Sequence, residues 1–167
     1  MELRPDARFP DIELPDHSGT RRRLSEVVAG DPALLHSFRG WWCPKEQAFF
    51  RRLVALQDEV EMAYSRLVSL SVDPPEVQAA FRAGLGARWT FLSDAGRAHL
   101  DALGLREAND TLHAPYRPAA VLLRPDLSIA RAFNGYWFWG RPTMEEVRQG
   151  FRELSREIRP DWEPSAA

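Results

Sequence analysis

Cysteine and lysine are what this chain of 167 residues has least of: one cysteine, Cys43, and one lysine, Lys45. A single thiol excludes an intramolecular disulfide framework and a zinc-finger array. His17, His36, His99 and His113 show no ligand spacing such as H-x-x-x-H, so no metal and no other cofactor is expected. The other basic residues are all arginine, which we attribute to the codon usage of a GC-rich genome rather than to function. The 22 basic residues are nearly balanced by 24 acidic ones, and a net charge of −2 argues against a general nucleic-acid binder. No apolar run approaches the ~20 residues that a membrane helix needs, and the N-terminus carries no signal-peptide hydrophobic region. The expectation is a protein of the reducing cytoplasm with no nucleic-acid or membrane partner. Repeats, low-complexity segments and an interdomain linker are absent too. One domain over residues 1–167 is therefore expected, with its core at about residues 9–158 and a loose tail from Pro160.

What is present is organised around Phe38-Arg39-Gly40-Trp41-Trp42-Cys43-Pro44-Lys45-Glu46. This stretch joins an apolar run, Ala33 to Phe38, to an amphipathic helical run from Pro44 to about Met62. A thiol at such a strand–helix junction sits where the first helical N–H groups lack partners and the helix dipole favours an anion. That position favours the thiolate, which is the reactive form. Pro44 suits the first helical position because its missing N–H costs nothing there.

Around this centre the pattern predicts an N-terminal hairpin, with Phe9 to Leu14 turning at Asp16-His17-Ser18-Gly19 and returning over Thr20 to Leu24. Ser25 is read as the cap of a short helix to Val28. Strands are expected at 33–38, 66–72, 89–92, 118–123 and 129–133. Asp73 is read as the N-cap of a helix with Pro74 as its first residue and Glu76 as its capping-box acid. Ser93-Asp94 is read as opening a further helix through Leu103, and Thr143-Met144-Glu145-Glu146 as a capping box for a last helix to about Ile158. The result is an α/β fold in which a mixed central sheet is flanked by helices.

Four stretches make this order resemble the peroxiredoxin-like AhpC/TSA family of the thioredoxin fold. They are the hairpin Phe9 to Leu24; Phe38 to Pro44, similar to Y-R-G-x-W-C-P-x-C; Ser71-Val72-Asp73 followed by Phe91 to Asp94; and Pro118-Ala119-Ala120 with Arg124-Pro125-Asp126. The resemblance implies a thioredoxin-like fold and makes Cys43 the nucleophile of a one-cysteine thiol peroxidase. Gly40, Trp42, Pro44, Glu46, Arg117 and Pro118 would support it, and Pro118 falls where that fold places a cis-proline. The implied substrate is a peroxide or a disulfide, and the implied partner is an external thiol reductant, either a small thiol or a thioredoxin-like protein.

Two departures stand out. The strict peroxiredoxin pattern P-x-x-x-T-x-x-C has Gly40 at its Thr and His36 at its Pro, so the hydroxyl that orients peroxide is missing. Glu46 occupies the place of the second cysteine of C-x-x-C. Two alternatives therefore stay open: a thiol protein that handles mixed disulfides, and a non-catalytic scaffold. Glu46 is read as a capping acid reaching back to the Cys43 N–H, or as a proton donor to the leaving group. Arg39, Arg117 and Lys45 are the cations available to offset its charge. His36 is read as a satisfied core histidine, and Thr111 and His113 as outlying polar contacts. Of Trp41 and Trp42, one is expected in the core and the other part-exposed. The five aromatics between Phe133 and Trp139 suggest a self-association surface and hence a homodimer.

Overall fold

The protein is described from a computed structural model that covers residues 1–135 and 139–161. Among the described residues, seven strands and four helices follow one another as β1 (Glu13–Pro15), β2 (Arg21–Arg23), α1 (Leu24–Val28), β3 (Ala33–Ser37), α2 (Pro44–Met62), β4 (Arg66–Ser71), α3 (Pro75–Leu85), β5 (Thr90–Ser93), β6 (Ala119–Leu123), β7 (Ile129–Asn134) and α4 (Met144–Ile158). β1 and β2 pair as the expected antiparallel hairpin. The other five strands form a mixed sheet in the order β5-β4-β3-β6-β7. β3 runs parallel to β4 and antiparallel to β6, so the strand that leads to Cys43 is at the centre of the sheet.

A central strand is covered on both faces, so its sequence need not alternate between apolar and polar residues. All five residues of β3 are buried. Successive side chains still point to opposite faces. Leu35, Val121 and Leu123 join one apolar cluster with Phe9, Leu24 and Tyr116, while Leu34, Ala120 and Leu122 join a second with Phe50, Leu53 and Phe151. α2 and α4 close this second face. α4 approaches so tightly that a Cβ on Gly150 would overlap the Leu122 side chain.

Several helix ends differ from the sequence reading, each for a local reason. Ser25 lies inside α1 rather than capping it; its N–H and hydroxyl both donate to the Asp11 carboxylate at 2.8 Å. α3 begins one residue later than expected, because a residue before proline is pushed out of the helical region. Pro74 precedes Pro75, stays extended at ψ 154° and becomes the cap itself, leaving Asp73 outside the helix. Residues 94–104 form turns instead of a helix. Arg97 takes a left-handed φ of +57°, and the Asp94 carboxylate accepts the N–H groups of Ala98, His99 and Leu100. By contrast, α2 spans the expected residues, and Thr143 and Glu146 form the expected capping box at α4. Tyr136, Trp137 and Phe138 of the aromatic cluster, and residues 162–167 of the expected tail, lie outside the described residues.

Candidate active site

The turn between β3 and α2 is built by its own backbone and by Asp73 at the end of β4. The Phe38 N–H donates to the Leu70 carbonyl at 2.9 Å, extending the sheet one residue beyond β3. Gly40 then takes φ +150°, a region that residues with a Cβ rarely adopt. A Cβ there would also stand 2.5 Å from the Trp42 ring nitrogen and 3.2 Å from an Asp73 oxygen. The Trp41 N–H donates to Asp73 Oδ2 at 2.9 Å, and the Ser71 hydroxyl donates to the same oxygen at 3.2 Å. Burial pushes the Asp73 carboxyl upward, against the pull of those two donors. Cys43 is the N-cap of α2, with Pro44 as the first helical residue. The sequence expectation for this pair therefore matches the backbone geometry.

The Cys43 thiol does not open onto solvent: the residue is 2% exposed. Its surroundings are not purely apolar, however. Arg39 Nη1 lies 3.9 Å from the sulfur, and Arg39 Nη2 donates to Asp110 Oδ2 at 2.7 Å. The Asp110 carboxylate also accepts the His113 N–H at 3.0 Å and lies 3.0 Å from the His113 ring. Burial pushes Asp110 upward, but the contacts with His113 and Arg39 outweigh it and hold the carboxyl below its ordinary value. The Arg39 guanidinium sits 5.0 Å from the centre of the Trp42 ring, and the His113 ring stacks on Trp42 with centroids 4.0 Å apart.

Behind the cysteine, Glu46 is fully buried and does not make the expected capping bond. The Cys43 N–H goes instead to the Gly40 carbonyl at 3.2 Å. Glu46 accepts the Arg39 N–H at 3.2 Å and faces the guanidinium of Arg141, whose Nε lies 3.0 Å from Oε2. Burial raises the Glu46 carboxyl above its ordinary value, and Arg141 opposes that. His36 Nε2 is 3.4 Å from Glu46 Oε2, too poorly aligned to be a hydrogen bond, and among the described residues neither ring nitrogen has a hydrogen-bond partner. His36 is thus a core histidine but not a satisfied one. Burial, with Arg141 adding to it, holds it well below its ordinary value, so the ring is neutral.

Of the other expected site residues, Gly40, Trp42, Pro44 and Glu46 share the Cys43 turn. Arg117 is directed elsewhere: its Nη2 is 3.4 Å from the Asn134 side-chain oxygen, and the guanidinium on the sulfur is that of Arg39. Pro118 is buried next to β6, and the carbonyl before it accepts the Ser37 hydroxyl at 2.8 Å. Its bond is trans, since the described residues contain no cis peptide. Lys45 is exposed, Trp42 half-buried and Trp41 50% exposed, so neither tryptophan is a core residue. Asp110 and Arg141 are the contributors that the sequence reading missed. They lie 71 and 95 residues from their partners Arg39 and Glu46, and no spacing rule links positions so far apart. Among the described residues no helix is long and apolar enough to cross a membrane.

The family model described as "AhpC/TSA family" matches residues 5–132. A stretch of 88 residues is 38% identical to each of two provisionally named peroxiredoxins from strains of Mycobacterium tuberculosis, covering 51% of this chain and 55% of each relative. The chain thus spans about half the length of the curated relatives it matches. Among solved structures, peroxidoxin BcpB from Mycobacterium tuberculosis superposes with a TM-score of 0.78 at 22% identity, over 95% of this chain and 99% of that one. Peroxiredoxin 6 of Arenicola marina, crystallised as a mutant, gives 0.82 at 16% identity over 99% and 82%, and Enterococcus faecalis AhpC gives 0.79 at 15% over 98% and 99%. At these identities the structural likeness establishes the thioredoxin-like fold.

Proposed function

This chain belongs to the AhpC/TSA family, and on that footing we propose that it is a thiol-dependent peroxidase whose single nucleophile is Cys43. The observation that carries this reading is the Arg39 guanidinium 3.9 Å from a sulfur at the N-cap of α2. Arg39 and the α2 terminus both place positive charge beside the sulfur, and the same guanidinium is shared with the Asp110 carboxylate.

In the proposed reaction the Cys43 thiolate attacks one peroxide oxygen. An S–O bond forms as the O–O bond breaks; the sulfur is oxidised to sulfenic acid, and the leaving oxygen takes a proton and departs as alcohol or water. Arg39 Nη1, 3.9 Å from Sγ, is the donor placed to hold a peroxide oxygen during the attack. An external thiol then condenses with the sulfenic acid, releasing water and forming a mixed disulfide. A second thiol attacks that disulfide and returns Cys43 to the thiol. Two equivalents of external thiol are thus oxidised for each peroxide reduced. Because Cys43 is the only cysteine of the sequence, the reading takes the reductant to be external, a small thiol or a thioredoxin-like protein. Glu46 has a positioning role: bound to Arg141 and to the Arg39 N–H, it fixes the first turn of α2 beneath the sulfur.

The reading further includes one thioredoxin-like domain, a cytoplasmic location and a homodimer. A second reading, a mixed-disulfide protein that turns over peroxide slowly, is favoured by Gly40, which offers no hydroxyl to orient a peroxide. Trapping separates the two. Treated with one equivalent of hydrogen peroxide and then dimedone, the protein should gain a single adduct on Cys43 by mass spectrometry. If no adduct forms while a model disulfide still modifies Cys43, the second reading replaces the first.

A further inference from the structure

Three side chains lie outward from the sulfur in order of increasing exposure. Arg39, 7% exposed, touches Sγ; the half-buried Trp42 ring lies against the Arg39 guanidinium; and the His113 ring, exposed by about two-fifths, stacks on Trp42. Asp110 ties the innermost and outermost layers together, bonding Arg39 at 2.7 Å and the His113 amide at 3.0 Å. Arg97 fastens the far side of the same segment, donating to the His113 carbonyl at 2.9 Å and to the Ala114 carbonyl at 3.2 Å. Cys43 is only 2% exposed, so an electrophile reaches the sulfur only when neighbouring groups move.

We propose that Asp110 and His113 are specificity-determining residues of the thiol site, setting how often and how widely Cys43 is uncovered and thus the size of reagent that reaches it. The proposal rests on Cys43 being the reactive group, but not on peroxide being its substrate. Parting the stack means separating Asp110 from Arg39 and lifting His113 from Trp42. Weakening either contact raises the population of the open form, and the rate of any reaction that needs it rises in proportion.

Alkylation tests this without peroxide. The rate of Cys43 modification by iodoacetamide and by a bulky fluorescein maleimide is measured across pH for the wild type, Asp110→Asn, His113→Ala and a control, Thr111→Ala, which alters an exposed residue of the same segment. Both latch variants should raise the high-pH plateau rate by about tenfold, more for the bulky reagent, with the control unchanged; the midpoint should stay in place in His113→Ala and fall in Asp110→Asn, which removes a negative charge beside Arg39. Circular dichroism confirms that each variant is folded, and the exposed His113 carries the test if Asp110→Asn is not. Plateau rates equal to wild type in the folded variants would overturn the proposal. So would a change confined to the midpoint, which would mean that Asp110 acts on the charge of the sulfur and not on access to it. A raised plateau in a protein that does not reduce peroxide would remove the proposed function and leave the gate standing.

Discussion

The Nη1 of Arg39 stands 3.9 Å from the Sγ of Cys43, four residues further along the chain, and the same guanidinium reaches Asp110 through Nη2. One planar side chain therefore reaches the sulfur with one nitrogen and a carboxylate with another, which an ammonium group cannot do with the same geometry. Arg39→Ala is expected to slow the second-order reaction of Cys43 with hydrogen peroxide by tenfold to a hundredfold, roughly 1.4–2.8 kcal/mol of barrier. Arg39→Lys is expected to recover only part of that loss. A rate within twofold of wild type for Arg39→Ala would remove Arg39 from the reaction.

The Glu46–Arg141 pair should behave as a buried ion pair that is costly to break from either side. Glu46 is fully buried and the Arg141 side chain is 10% exposed. Removing one partner strands the other's charge, at a cost of about 3–5 kcal/mol. Urea unfolding of Glu46→Ala and Arg141→Ala should show losses of that size, and the double variant should lose less than the sum of the two.

Gly40→Ala should destabilise the fold by about 1–3 kcal/mol through backbone strain alone. The new Cβ would also press on the Trp42 ring, so the reactivity of Cys43 should change together with stability. Chemical denaturation and the alkylation rate measured on the same preparation would check this.

His36 predicts the direction of pH dependence. Its folded-state pKa lies well below 6.5, so the unfolded chain takes up the proton first. The stability it contributes is complete above pH 6.5 and is lost as the pH falls below that value, by up to about 1.4 kcal/mol per pH unit for one proton. His17 is also held low, by burial and by Arg82, and acts in the same direction. The part due to His36 is thus the difference between wild type and His36→Gln, measured by urea unfolding between pH 7.5 and 5. Parallel curves would show that His36 is not the group responsible.

The sequence made the fold legible wherever one segment could decide its own structure. Pro44 at a helix start, the Thr143–Glu146 box and the buried run 33–38 each carry a local physical reason, and each appears as expected. It misled where two local signals competed. Asp73 looks like a cap, but the second of two prolines moves the helix start past it, and the freed carboxylate holds the Trp41 amide instead. Glu46 is a capping acid by spacing alone, yet its partner is Arg141, 95 residues away. The cysteine could be read from the sequence because a thiol at a helix mouth is a local pattern. The arrangement of Arg39, Asp110 and His113 over that thiol could not, because it exists only once the 107–114 segment has folded back onto the loop.

The most direct test of the account is single-turnover stopped-flow. Reduced protein is mixed with hydrogen peroxide, or separately with a model disulfide, beside Cys43→Ser. The expected result is a fluorescence or thiol-loss transient that is first order in peroxide, faster than the reaction with disulfide, and absent from Cys43→Ser. A transient that survives in Cys43→Ser, or a Cys43 that ignores peroxide while reacting with disulfide, would contradict it.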